Sequence, residues 1–276
     1  MPISSFLVLF VVAVCAFLGN TAISVARRAS WFRRSGITID ATPLLLVVRE
    51  TWAVLVVLTW RLLRRGRRLD RRAPASNHDV VVLVHGMWAD GTSMWGLRRA
   101  LSGLGRSTLA PDIGRRGDTL GAWGDDIAEA LGACEGAVDV VCHSLGGVAL
   151  RVALTHRPWL RERIRSVSLL AVPDDGTGAA DGIPMRIARD MRRGSAFLAS
   201  LPALDVLVPR ADVLRVISRH DPIVYPAADA DVLLEGFGHA ELLTHRGVRA
   251  IIIDHVMTRS GSTVAPPSGR MMIDTA

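Results

Sequence analysis

Ser144 is the residue whose setting points most directly to chemistry. A strand-like run, Ala137–Cys142, leads into His143-Ser144-Leu145-Gly146-Gly147, and helical spacing follows through Leu154. Strand, sharp turn and helix in that order project a serine Oγ from the C-terminal edge of a sheet, provided that the flanking positions are small enough for helix and strand to approach. Gly146 meets that need, and Cys142 takes the place of the other small residue. A serine hydroxyl is inert near neutral pH unless a base lies within hydrogen-bond reach. His239 is the candidate base, because it follows the strand-like Val232–Leu234 and a Gly-rich turn and precedes a closing helix around Val248–Met257. His220, His245 and His255 are rivals; the last two fall near or within that helix and read as caps or packing residues. His143, beside the serine, reads as structural.

An acid should orient the imidazole and stabilise its charged form without taking the proton itself. Asp221 follows the strand-like Val213–Ser218, and Pro222 stiffens the turn after it. Asp174 and Asp175, after the preceding strand, and Asp212 compete for the role. The negative charge that develops on an attacked carbonyl needs donors, each worth several kcal/mol. The backbone N–H groups of Leu145, one past the serine, and of Met87, after the strand-terminal His85-Gly86, occupy the expected places.

Alternating elements position these residues. Asp79–Val84 is a β-branched, continuously apolar strand of the kind covered on both faces. Met94–Leu104 follows as a helix, Ser107–Ile113 as a short strand, and Leu120–Ala133 as a helix with Ala122, Trp123, Ile127, Ala130 and Leu131 on its apolar side. Between Pro173 and Asp212 strand periodicity is lost; a helix is expected around Met185–Arg193. Ile183, Met185, Phe197, Leu198 and Leu201 either line an acyl pocket or cover the core. No metal-ligand spacing, P-loop or dinucleotide fingerprint occurs, so no cofactor is expected. The three cysteines exclude a disulfide scaffold but leave a Cys134–Cys142 bridge open.

On His85-Gly86-Met87, His143-Ser144-Leu145-Gly146-Gly147, Ser218-Arg-His-Asp221-Pro-Ile-Val and Gly236-Phe-Gly-His239-Ala-Glu-Leu-Leu, residues 79–258 resemble the compact bacterial lipase and esterase family of the α/β-hydrolase fold. The resemblance implies a mostly parallel sheet flanked by helices and a Ser144–Asp221–His239 triad in that chain order. It also implies an acyl-enzyme intermediate and no cofactor. Many members carry Ala or Gly where this chain has Cys142.

The first quarter of the chain is of a different kind. The formal charge is +7, and every one of the 33 cationic residues is Arg. Residues 1–78 hold 12 Arg against 3 acids, a net of +9, whereas residues 79–276 hold 21 Arg against 23 acids, a net of −2. The basic character therefore belongs to the N-terminal region, which makes phospholipid rather than nucleic acid the expected anionic partner. Residues 1–26 carry no charge and include the apolar run Phe6–Leu18, long enough with its flanks to span about 30 Å of hydrocarbon. No cationic residue precedes the run, which favours a retained transmembrane helix over a signal peptide. A basic linker over 27–40 and a second hydrophobic helix over 41–63 follow, the latter spanning or lying in the interface. Arg49 and Glu50 inside that helix would each cost about 2.5–3.5 kcal/mol at a membrane centre. An Arg-rich linker over 64–78 leads into the catalytic domain, and 259–276 is expected to be a disordered tail. The expected whole is a bacterial membrane-anchored serine hydrolase of lipid-like acyl esters. An acyltransferase or thioesterase on the same triad, or a silent membrane scaffold of the same fold, is the alternative. The side of the membrane on which the domain lies stays open, because one span and two spans satisfy the Arg clusters differently.

Overall fold

The computed structural model describes residues 43–63, 79–224 and 230–258. Among the described residues six strands form one sheet: β1 (Val80–Val84), β2 (Ser107–Leu109), β3 (Val138–His143), β4 (Ile164–Leu170), β5 (Asp212–Ser218) and β6 (Val232–Leu234). Their spatial order is β2-β1-β3-β4-β5-β6, and every pair is parallel. Parallel strands need crossovers that cover both faces, and β1 accordingly is apolar throughout and 0–1% exposed. Val80, Val82 and Val84 face a core shared with α3 (Leu120–Gly132) and α4 (Leu145–His156). Val81 and Leu83 face the other core, with α2 (Trp95–Gly103) and the last helix, Arg246–Thr258. The second strand stops at Leu109 rather than continuing to Ile113, because Pro111 cannot supply a ladder donor.

The strand order reverses between β1 and β3, since β2 adds on one side of β1 and all later strands on the other. In an open parallel sheet the crevice beyond the C-terminal strand ends at such a reversal is where a ligand fits. The ends of β1 and β3 deliver His85-Gly86-Met87 and Ser144 to that place.

The segment after β4 condenses into short helices: α5 (Arg186–Asp190), α6 (Ala196–Ser200) and α7 (Leu204–Leu207). Buried Arg151 of α4 ties it down, donating to the carbonyls of Asp174, Leu201 and Pro202 at 2.9–3.1 Å. Leu198 is core, and Ile183, Met185, Phe197 and Leu201 pack half-buried against the same cluster as Met87. These side chains therefore cover the core.

The second hydrophobic stretch is a helix, α1 (Pro43–Leu63). No helix among the described residues is long and apolar enough to cross a membrane. Of the two readings of 41–63, spanning or lying in the interface, the spanning one is corrected by where the polar residues of the helix go. Leu46, Glu50 and Ala53, on one helical stripe, are buried against the sheet domain. Arg61 pairs with Asp90 at 2.8 Å, and Arg49 pairs with Glu241. An ion-pairing face that has protein partners has no need of a lipid interior. The expected span over 1–26, the linkers 27–40 and 64–78 and the tail 259–276 lie outside the described residues.

Candidate active site

Ser144 joins β3 to α4 with φ 54° and ψ −131°. A non-glycine residue at positive φ costs on the order of 1–3 kcal/mol and persists only where its surroundings enforce it. Here they do. The Ser144 N–H donates to the Leu170 carbonyl at 2.9 Å. A Cβ on Gly146 would stand 2.6 Å from the His85 carbonyl oxygen, so only glycine lets the helix start against the end of β1. A Cβ on Gly86 would lie 2.7 Å from that of Ser144, which measures how closely the His85-Gly86-Met87 turn abuts the serine. Cys142 is fully buried, paired in register with Val84 of β1 and Leu169 of β4. Cys134 and Cys142 are both free, so no bridge links them.

His239 and Asp221 meet as their positions predict. His239 Nδ1 stands 2.7 Å from Asp221 Oδ2, and both residues are buried. The other oxygen, Asp221 Oδ1, accepts the Ile223 and Val224 N–H groups at 2.7 and 3.0 Å. That leaves Asp221 well supplied with donors in its ionised form, and Nδ1 of His239 as the protonated nitrogen. Burial alone would lower the pKa of His239; the charge and hydrogen bond of Asp221, with the charge of Glu50, leave it above the ordinary histidine value.

His143 bridges the serine and the histidine. Its Nε2 donates to the His239 carbonyl at 3.2 Å, and the two rings lie 4.7 Å apart. Burial first, then the charge of His239, push its pKa down to about 3, so it stays neutral and serves as a fixed donor. Leu145 is the first residue of α4, where the backbone N–H has no partner within the helix. Met87 belongs to a tight turn in which the Ala89 N–H reaches the Gly86 carbonyl at 3.4 Å and Trp88 adopts φ 60°. His85 donates from Nδ1 to the Gly86 carbonyl and accepts the Ile113 N–H on Nε2, which locks the approach to that turn.

The rivals are engaged elsewhere. His220 accepts the Gly236 N–H on Nδ1 at 2.8 Å, and His245 packs edge-on against Phe237. Asp174 pairs with Arg151, and Asp175 is exposed. His255 lies 2.9 Å from Ser168 Oγ and 3.4 Å from Asp212, a second Ser-His-Asp chain of contacts. Ser168 is wholly buried within β4, so no substrate carbonyl can reach it. Sequence reasoning missed Glu50 and Glu241, which lie directly behind His239. The available signal was a charged pair, Arg49-Glu50, inside an otherwise apolar helix. No group of His, Cys, Asp and Glu able to hold a metal occurs among the described residues.

A parallel sheet covered by helices on both faces, with a serine on a strained strand-to-helix turn and a His–Asp pair after two later strands, defines an α/β-hydrolase. The chain belongs to the alpha/beta hydrolase family, whose profile matches residues 81–272. Its fold is similar to that of Aspergillus fumigatus lipase B, at TM-score 0.54 and 16% identity, over 66% of this chain and 55% of that one. It is also similar to the Bacillus licheniformis lipase BlEst2 in mature form, at TM-score 0.50 and 15% identity, over 70% of this chain and 96% of the other. The ydeN gene product of B. subtilis matches at TM-score 0.50 and 18% identity, over 67% of this chain and all of that one (100%). A search of curated protein sequences finds no match.

Proposed function

We propose that this hydrolase cleaves carboxylic esters of lipid-like substrates by way of an acyl-enzyme, with Ser144 as nucleophile, His239 as general base and acid, and Asp221 as its orienting partner. The observation that carries the reading is the 2.7 Å Nδ1–Oδ2 contact of His239 and Asp221, held against His143 next to a serine at φ 54°. With Nδ1–H committed to Asp221, Nε2 is free to take the serine proton as Oγ attacks the ester carbonyl. The Leu145 and Met87 N–H groups receive the developing oxyanion. The alkoxide then leaves with the proton returned by Nε2, and water, deprotonated by the same nitrogen, releases the acid and restores Ser144.

Membrane anchoring through residues 1–26 belongs to this proposal, as does the lipid character of the substrate. Both are supported by composition: an uncharged N-terminal segment, a +9 region that follows and overlaps it, and a slightly acidic catalytic domain. The test uses the full chain in detergent with p-nitrophenyl esters of graded chain length, beside Ser144→Ala. A fall of at least about 10³-fold in kcat is expected. Equal turnover by the two proteins would sink the proposal. A fluorophosphonate probe should label Ser144 and nothing in the variant; absence of label on the wild type favours the silent scaffold. An added alcohol that captured most of the acyl group would reassign the enzyme as an acyltransferase.

A further inference from the structure

Helix α1 brings a carboxylate to the back of the loop that carries His239. Glu50 is 1% exposed. Its Oε1 accepts the Ala240 N–H at 2.7 Å, and its Oε2 lies 3.0 Å from the same group and 3.1 Å from the Glu241 N–H. The carboxylate fills the space that any side chain at 238 would need, and that position is glycine. Arg49, one residue earlier, donates from Nε to Glu241 Oε1 at 2.7 Å, and its guanidinium lies 5.3 Å from the centre of the Phe237 ring. Glu241 closes the circuit by accepting the Gly238 N–H on Oε2 at 3.1 Å. Phe237, Gly238, Ala240 and Glu241 are thus gripped from α1 or by its ion-pair partner, while His143 holds the His239 carbonyl from β3.

We propose that Glu50 is a positioning residue for His239, and that α1 is a working part of the catalytic apparatus: the carboxylate fixes the His239 loop and supports the imidazolium formed during the reaction. This rests on the triad reading given above. The titratable and charged groups around the pair are Asp221 and neutral His143 toward His239 and Arg49 and Glu241 beside Glu50, with His245 next to Arg49 and Glu241 and Arg249 next to His245. Burial is the main force on Glu50 and lifts its pKa to about 7, with the Ala240 N–H and the charge of His239 pulling it back and the charge of Asp221 pushing it further up. Glu50 and His239 each favour the charged form of the other.

The test is the rate at which a fluorophosphonate labels Ser144 in the full chain, measured from pH 5 to 9. In that step Oγ bonds to phosphorus, fluoride leaves and the serine proton passes to His239, so only the neutral imidazole supports it. Glu50→Gln keeps an acceptor for the Ala240 N–H and removes the charge. Its acid limb should move to lower pH, by roughly one unit, and its plateau should fall severalfold, because the imidazolium formed in the step loses that support. Glu50→Ala also removes the acceptor, and its plateau should fall about tenfold or more. Thermal melts establish that each variant is folded; if Glu50→Ala is not, the acid limb of Glu50→Gln still decides. An acid limb unchanged in folded Glu50→Gln overturns the proposal, and so does a wild-type plateau in folded Glu50→Ala. Absence of label on wild-type Ser144 overturns the triad reading instead, and this inference with it.

Discussion

At the scale of single residues the site is an exercise in keeping each polar atom committed. Asp221 has one oxygen on two backbone N–H groups and the other on the His239 imidazole. That division predicts the result of Asp221→Asn. The amide keeps its oxygen on the Ile223 and Val224 N–H groups and presents NH₂ to His239, which can then accept only on Nδ1 and must carry its proton on Nε2. Nε2 is the nitrogen that should receive the serine proton, so kcat at pH 7 should fall about 10³–10⁴-fold with the fold intact. The check is kcat beside the urea midpoint; a loss of less than tenfold in a folded variant would remove Asp221 from the triad. The places of Ser144, Asp221 and His239 after strand ends are legible in the amino-acid sequence, because each follows a strand signal. Glu50 is not. Its partners lie about 190 residues away, and local composition can register only that a buried carboxylate is expensive, not what repays it.

At the scale of elements the same contrast appears. Strands β1 and β3 are readable because covering both faces of a parallel sheet removes polar residues from the run. An exception within β3, besides His143 at its end, is Asp139, wholly buried, which accepts from Arg106 at 2.8 Å, Arg165 at 3.0 Å and Ser166 at 2.7 Å. It clamps the loop before β2 and the start of β4 to β3, at the end of the strand remote from Ser144. Asp139→Ala would take the carboxylate from partly buried Arg106 and leave Arg165 with Asp79 alone, and should cost about 3 kcal/mol. Five residues of strand, roughly 16 Å, separate the site from that damage, so kcat of the folded fraction should not change. A denaturant series with parallel kcat measurements checks both halves. Helix α1 is legible as a helix but not in its surroundings: its apolar composition suits lipid and a protein groove equally, and only the destination of Arg49 and Glu50 separates the two. The segment 173–211 is obscure for a related reason. Its short helices are held by Arg151 and by packing onto a distant core, so no periodicity of their own declares them.

For the molecule as a whole, α1 connects the two rims of the crevice. Near one end Glu50 grips the His239 loop, and at the other Arg61 pairs with Asp90 and reaches the Trp88 carbonyl at 3.5 Å, one residue past Met87. The face that it turns outward is apolar: Leu45, Val48 and Trp52, at helical spacing, are 52–69% exposed, and Trp88 beside the crevice is 60% exposed. Seven Arg fall within residues 61–72, immediately after. An apolar strip flanked by cationic charge is the composition that settles at an anionic lipid surface. Under the proposed function, that arrangement would hold the crevice against the layer from which a lipid-like ester arrives. Trp52→Ala in the full chain, reconstituted with anionic vesicles, should then raise the apparent KM for a vesicle-borne ester, by about tenfold for the loss of one buried aromatic. Turnover of a soluble short-chain p-nitrophenyl ester should stay at the wild-type rate, since Trp52 is 69% exposed, on the outward side of α1. Neutral vesicles or high salt should shrink the difference between the two substrates, as screening weakens the hold of the Arg cluster. If Trp52→Ala slows both substrates alike, or neither, the outward face of α1 plays no part in meeting lipid, and the arginines alone must account for any attraction to the membrane.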